Sequence, residues 1–469
     1  MAKLRLRAKD LRAIGYENAR VIQTAMMLCG KHYKNQPQEE VLDLLAQIAA
    51  KPSAFLEHEA LGKIAEMLDV RTEGKLEGQA FKLRETAAPY KVYGAQFIEE
   101  VALQQMENAV KLPISVAGAL MPDAHGGYGL PIGGVLATDA AVIPYGVGMD
   151  IGCRMCLSVF DIRTEDLTKK YKRFLEILDN NTKFGTGEEF RIPTEHEIFE
   201  DVAFTENPFL KSLQYKAYRQ LGSSGSGNHF VEFGIVDVPD FDETLGLKKG
   251  KYVGLLSHSG SRGLGANIAQ HYTKIAMELT KLPKGAEHLA WLDLNNEYGA
   301  AYWQAMNLAG DYASACHHTI HDKIANELGE KAIKRVENHH NFAWKEVIDG
   351  RELIVHRKGA TPAGKNVLGI IPGSMTAAGY IVKGKGETGS LLSAAHGAGR
   401  AMSRSKAMKS ITQHAMKEML KKHDVKLIGG GIDEAPMAYK DIEKVMQSQH
   451  NLVDIIGSFL PKIVKMDGR

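Results

Sequence analysis

KYVGLLS, residues 251–257, is a short apolar run that leads straight into HSGSRG, a turn of glycine, serine and two basic side chains. Runs of this length closed by such turns read as strands. Two more of the same kind, FVEFGIV (230–236) and VLGII (367–371), lie on either side of it in the chain. Elsewhere the spacing changes to that of helices. Residues 296–328 carry Tyr302, Met306, Ala309, Tyr312, Ala313 and Cys316 on one stripe, and residues 405–423 predict a basic helix. Strands and helices are interleaved without a regular βαβ period. The expected fold is therefore α+β (mixed α/β), with mixed sheets flanked by helices, and not a doubly wound parallel sheet.

Toward the N-terminus the strand signal disappears. Leu11, Ile14, Val21, Ile22 and Ala25 make one amphipathic stretch; Val41, Leu42, Leu45 and Ile48 make another after Pro37; Leu61, Ile64 and Leu68 make a third. No reactive cluster falls among them. Residues 1–86 are expected to form a helical extension, and residues 87–469 a single large catalytic domain.

The 469 residues are 44% hydrophobic and 24% charged, as in an ordinary globular protein. A net charge of +2 hides an uneven distribution. Between residues 351 and 426 fourteen Lys or Arg face four Asp or Glu, a local +10 that leaves −8 for the rest. A basic segment of this kind suits a polyanion. Four cysteines (Cys29, Cys153, Cys156, Cys316) are too few for a disulfide scaffold of this size. The opening MAKLRLRAKDLR lacks the apolar core of a signal peptide, and no apolar run is long enough to span a bilayer. A reducing, cytoplasmic setting with no membrane partner is the expectation.

Against four cysteines stand eighteen histidines, and the reactive groups are sought among them. Five short clusters sit at predicted strand ends or turns: Asp150-x-x-Cys153, Asn228-His229-x-x-Glu232, His258-Ser-Gly-Ser-Arg262, His339-His340-Asn341 and His396-Gly-Ala-Gly-Arg400. Asp, Cys and several His together suit a two-metal centre, because a thiolate can bridge two cations while imidazoles and a carboxylate complete each shell. Cys153-x-x-Cys156 has no second cysteine pair to close a zinc site, so Cys156 reads as packing. His317 and His321 are spaced i, i+4 on the long helix, but without a following Glu they read as solvated helix histidines. No Walker A or dinucleotide fingerprint is present.

Nine segments then become specific when taken in order: MPDAHGGYGLPIGG (121–134), GVGMDIGC (146–153), GSGNHFVEF (225–233), HSGSRGLG (258–265), HHN (339–341), HRKGAT (356–361), PGSM (372–375), HGAGRAMSR (396–404) and DEAPMAYKDI (433–442). Together they resemble the RtcB-type RNA-splicing ligase family, over about 370 residues. The resemblance implies a GTP- and Mn²⁺-dependent enzyme with two metal ions. Such an enzyme opens a 2′,3′-cyclic phosphate to a 3′-phosphate, activates that phosphate with GMP and joins it to a 5′-hydroxyl end. By motif match His396 is the nucleophile that carries GMP. Cys153 bridges the two metals, with Asp150 and His229 on one side and His258 and His340 on the other. Asn228, Asn341, Pro372, Gly373, Ser374, Met375, Gly397, Ala398 and Gly399 cradle the nucleotide, and Glu232 and Lys465 face guanine. RNA (tRNA halves or cleaved RNA) is the implied substrate, an activator protein of the archease type is an implied partner, and oligomeric state is left open.

The chain departs from the family pattern at four places. Thr376 stands for a Gly; Gly379 stands for a Ser expected at guanine; Arg154 follows Cys153 where the family has Gly; Cys316-His317 replaces Asn-Arg on the long helix, which predicts a changed substrate-side contact. The residues themselves also allow a dinuclear phosphoesterase or an end-capping nucleotidyltransferase acting on RNA 3′ ends. Arg262, Arg400, Arg404 and the basic run to Lys426 are the expected RNA-facing surface.

Overall fold

The three apolar runs become strands Phe230–Val238, Gly250–Ser259 and Leu368–Ile371 of one eight-stranded sheet. A computed structural model describes residues 4, 6–16, 18–56, 58, 60–69 and 77–468. The sheet runs in the order Lys334–His339, Arg154–Phe160, Gly250–Ser259, Phe230–Val238, Val453–Met466, Gly379–Gly384, Leu368–Ile371, each pair antiparallel. Lys426–Ile428 adds to Val453–Met466 in parallel. A second sheet of five strands is built on Ser115–His125, Ile132–Thr138 and Arg351–Lys358. The architecture is the mixed α+β fold expected.

Period-two alternation gives the large sheet two different faces. Register aligns Met155, His258, Phe230 and Met466 in one row, and Leu157, Leu256, Glu232 and Val464 in the next. On the opposite face Val231, Phe233, Val253, Leu255 and Ile463 pack with Ile320 and Ile324 of the helix Glu297–Leu328. That helix holds the predicted stripe, with Tyr302, Met306, Ala309, Tyr312 and Cys316 in one core. The predicted basic helix is two helices, Arg404–Ser410 and Gln413–Lys422. Thr412 breaks it by capping the second, its hydroxyl accepting from the N–H of Ala415.

The chain divides into compact units Met1–Gly78 and Gln79–Arg469. The division falls ahead of residue 86, because Gln79–Ala80 pairs with Thr280–Lys281, and Phe81, Leu83 and Ala87 pack into a core of the larger unit. Within the smaller unit, helices Ala19–His32, Gln38–Ala50 and Gly62–Asp69 bury Val21, Ile22, Ala25, Val41, Leu45, Ile48, Leu61, Ile64 and Leu68 together with Leu11. Asn18 caps the first of these, accepting from the N–H groups of Arg20 and Val21.

Candidate active site

A cavity of about 290 Å³ lies over the face that carries His258, Phe230, Glu232 and Met466. Its walls come from two glycine-bearing turns. One is formed by Pro372, Gly373, Ser374 and Met375, followed by Gly379; the other by His396, Gly397, Ala398 and Gly399. The N–H of Ala398 donates to the carbonyl of Pro372 at 3.0 Å and ties the walls together. Gly399 has φ +72°, and a Cβ there would lie 2.2 Å from the Asp123 carbonyl oxygen, so only glycine closes this turn.

His396 enters the cavity directly after strand Ser393–Ala395, which pairs with Ala360–Pro362. Its Nδ1–H donates to Asp123 Oδ2 at 2.7 Å, and its backbone N–H donates to the same oxygen at 3.2 Å. Asp123 is fully buried. The imidazole is thus held in one orientation, with Nε2 left as the bare nitrogen. Asp123 lies within the first quoted motif, yet it had no assigned role. An acid set in the apolar run ALMPDAH was the available signal.

Beside His396 runs a chain of side chains able to ligate a metal. His340 lies with its ring centroid 4.9 Å from that of His396, and its Nε2 is 3.2 Å from His258 Nε2. Cys153 Sγ is 3.2 Å from His258 Nε2 and 3.5 Å from His229 Nε2. His229 Nε2 is 3.0 Å from Asp150 Oδ2. The thiol therefore sits between an Asp150–His229 pair and a His258–His340 pair. His258 donates through Nδ1–H to the Asn228 carbonyl at 3.0 Å, which leaves the Nε2 lone pair facing both sulfur and a second imidazole. Converging lone pairs repel unless a cation lies among them, and an imidazole fixed through its other nitrogen is the usual arrangement behind a metal. The buried Nδ1 atoms of His229 and His340 have no hydrogen-bond partner among the described residues. These five side chains fit a metal centre.

Electrostatics agree with the geometry. Burial holds His258 down to about 3 and His340 well below its usual range, so both imidazoles are neutral donors to a cation. Burial alone would raise Asp150, but its hydrogen bond and charge contact with His229 outweigh this and bring it to about 2. Burial pushes Glu232 well above the usual carboxylate range. Its neighbours in the sheet row, Leu256 and Val464, explain why.

Two expected nucleotide contacts lie elsewhere. Lys465 alternates with Val464 and Met466, so it projects from the opposite face of the sheet. Its ammonium donates to the carbonyls of Asp179 and Thr182 at 2.8 and 3.1 Å and pairs with the Asp179 carboxylate. Asn341 does not line the cavity; its amide bridges the Asp150 carbonyl and the Gly359 N–H. Asn228 does line it. The three expected RNA-facing arginines are also internally bonded. Arg262 donates to Ser223 and the Gly185 carbonyl, Arg400 to Glu434 and the Asp433 carbonyl, and Arg404 pairs with Asp433 and Glu434. Arg400, Arg404, Glu434 and Tyr439 together close one end of the cavity.

The departures gain structural roles. Arg154 is buried and donates to the carbonyls of Gly152 and Gly310, fastening the Cys153 loop to the long helix. His317 and His321 are fully buried and not solvated. Starting from Arg335, one consistent set of protons runs through them. Arg335 donates to Ser158, Ser158 to His321 Nδ1, His321 Nε2–H to Ser257, Ser257 to His317 Nδ1, and His317 Nε2–H to the Ser259 carbonyl. Every nitrogen is satisfied, unlike those at His229 and His340. Ser257 and Ser259 flank His258 on the face away from the cavity, so His317 braces this strand from behind and makes no substrate-side contact.

The comparisons with known proteins converge. Residues 105–466 match the family described as tRNA-splicing ligase RtcB. The chain is 33% identical over 397 residues to the RNA-splicing ligase RtcB of Escherichia coli (strain K12), covering 76% of this chain and 92% of that one. It is 34% identical over 432 residues to the tRNA-splicing ligase RtcB of Methanococcus maripaludis, covering 76% and 88%. With the RNA-splicing ligase RtcB of Mycobacterium bovis the identity is 31%, over 74% and 95%. Matched by the family model over residues 105–466 and by these relatives across most of its length, this chain belongs to the RtcB family.

Proposed function

We propose that the protein is an RNA ligase that joins 2′,3′-cyclic-phosphate or 3′-phosphate ends to 5′-hydroxyl ends, using GTP as co-substrate. The observation that carries this reading is the placement of His396. Its bare Nε2 opens on a nucleotide-sized cavity, held by Asp123 and next to a ready-made metal centre. Nε2 attacks the α-phosphate of GTP, a P–N bond forms and pyrophosphate leaves. At a 2′,3′-cyclic end, water first opens the P–O2′ bond to give a 2′-hydroxyl and a 3′-phosphate; GMP then passes to the RNA 3′-phosphate and frees His396. The 5′-hydroxyl attacks the activated phosphate, a 3′,5′-phosphodiester forms and GMP departs. Asp123 accepts the Nδ1–H throughout, so positive charge that develops on the ring is met by a buried carboxylate.

Two Mn²⁺ ions held by Asp150, Cys153, His229, His258 and His340 would supply Lewis-acid stabilisation of charge on the reacting phosphates. Ligand identity alone favours Zn²⁺ over Mn²⁺, so the choice of Mn²⁺ rests on family membership. Guanine fits the inner part of the cavity, where ionised Glu232 accepts from its N1–H and 2-amino groups. Gly379 offers no hydroxyl there, and a Cβ at this position would lie 3.1 Å from Pro372 Cα. RNA phosphates have a separate surface. Lys406, Lys409, Lys417, Lys421 and Lys422 are exposed and form no ion pair among the described residues. Their helices pack against Met375 and Met466 at the cavity rim. An archease-type activator and a cytoplasmic location belong to the same reading; among the described residues no helix is long and apolar enough to cross a membrane.

The test is ligation of 5′-hydroxyl RNA to 2′,3′-cyclic-phosphate RNA with Mn²⁺, comparing GTP with ATP. Joined product with GTP supports the reading. Release of 3′-phosphate ends without joining and without a GTP requirement would support the phosphoesterase instead.

A further inference from the structure

Past His125, three rings gather at the margin of the large unit. Tyr145 is stacked on His288 with centroids 4.8 Å apart, and Tyr128 stands edge-on to both, at 6.2 and 5.7 Å. Lys358 secures the group from beneath. Its ammonium lies 5.0 Å from the centre of the Tyr145 ring and donates to the backbone carbonyls of Tyr128 and Tyr145. Tyr128 nevertheless keeps 66% of its surface in water, and Met149, one residue before Asp150, keeps 38%. A single exposed tyrosine is ordinary. A braced set of rings, continuous with the loop that carries Asp150 and Cys153, is not.

The position relative to the reacting groups gives the rings a use. Register puts Glu232 one row further into the sheet than His258, whereas Tyr145 lies in the short helix Pro144–Val147 and Met149 in the loop between that helix and strand Arg154–Phe160. A nucleotide whose base reaches Glu232 presents its phosphate at the His258 and His396 level. His125 lines the cavity, and Tyr128 follows it by three residues. Gly359, next to Lys358, comes close enough to His396 that a Cβ on it would lie 3.2 Å from Cε1.

We infer that Tyr128, backed by Tyr145 and His288, is a stacking platform for an unpaired base of the RNA end next to the junction. This inference rests on the ligase reading. Stacking on an aromatic face is open to all four bases, as a ligase that joins ends of differing sequence requires, and it acts on single strands whose bases are free. Tyrosine provides the face at low entropic loss because it has only two rotatable side-chain bonds.

The experiment uses the full-length protein with Mn²⁺ and short single-stranded RNAs labelled at the far end. One set carries a 5′-hydroxyl and the other a 3′-phosphate, each with either a normal or an abasic nucleotide nearest the end. Tyr128→Ala is expected to weaken binding of at least one normal RNA on the order of 10- to 100-fold, while Tyr128→Trp retains it. The abasic version should bind the wild type weakly and no longer distinguish it from Tyr128→Ala. Thermal unfolding of both variants checks that they are folded. Equal binding of all normal RNAs by Tyr128→Ala, or an equal loss on abasic RNA, overturns the platform. If the wild type joins no RNA ends, the ligase reading has failed; if it joins them while Tyr128→Ala is indifferent, only the platform has.

Discussion

Asp123 Oδ2 receives two hydrogen bonds from His396, one from Nδ1–H at 2.7 Å and one from the backbone N–H at 3.2 Å. The two contacts fix the ring and the start of its turn with a single atom. Gly399, three residues later, packs onto the Asp123 carbonyl, so the carboxylate and the turn are mutually positioned.

Asp123→Asn should therefore fold and bind GTP but guanylylate His396 slowly. A neutral amide oxygen can accept the same donors but carries no charge to balance the imidazolium, and losses on the order of 10³- to 10⁴-fold follow when a carboxylate behind a catalytic imidazole is neutralised. Single-turnover labelling measures the rate; a variant as fast as wild type would remove Asp123 from the mechanism.

Glu232 gives a pH prediction. Burial raises its carboxyl well above the usual carboxylate range, so the free cavity favours the protonated form more than water does. Guanine's donors need the ionised form. Binding GTP should thus release a proton, and affinity should rise with pH until the free carboxyl ionises by itself. Calorimetry in two buffers of different ionisation enthalpy reads the proton count. Glu232→Gln should abolish the release and weaken GTP on the order of 10- to 100-fold relative to ATP.

The brace behind His258 predicts a stability effect. His317→Ala leaves the Ser257 O–H without its acceptor and the Ser259 carbonyl without the His317 Nε2–H in a dry core, at about 1–3 kcal/mol each. A loss of about 3–5 kcal/mol is expected once the cavity left by the ring is included. His318→Ala, one residue away but only half-buried, outside the hydrogen-bond chain and paired with Glu337, should change stability by less than about 1 kcal/mol. Denaturant titration of the two variants compares them.

For the RNA surface, replacing Lys409, Lys417 and Lys421 with Gln should weaken binding of every sequence alike. The slope of log affinity against log salt should fall by about 2, from roughly 0.7 per lost single-strand phosphate contact. An unchanged slope would place the RNA path elsewhere.

Much of this molecule was legible from residue order. Short apolar runs closed by Gly/Ser turns became the central strands, and four of the five clusters came together because each lies at a strand end on one side of the large sheet, while His396 follows a strand of a separate two-stranded sheet. Side-chain direction was not legible. Lys465 lies between two cavity residues in sequence, yet strand alternation turns it to the opposite face. His317 and His321 have the spacing of a helix surface, but a 32-residue helix that packs on a sheet buries part of every such stripe. Asp123 was hidden for a different reason: its partner lies 273 positions away in the chain. The arginines chosen for RNA carry the right charge, but carboxylates and carbonyls that sequence cannot place near them occupy their donors.

The central claim is that His396 carries GMP. Incubating the protein with Mn²⁺ and GTP labelled in the α-phosphate should leave one acid-labile, alkali-stable label per chain, lost in His396→Ala and mapped to the peptide containing residue 396. Full labelling of His396→Ala, or no labelling of the wild type in the presence of GTP and Mn²⁺, would contradict the account.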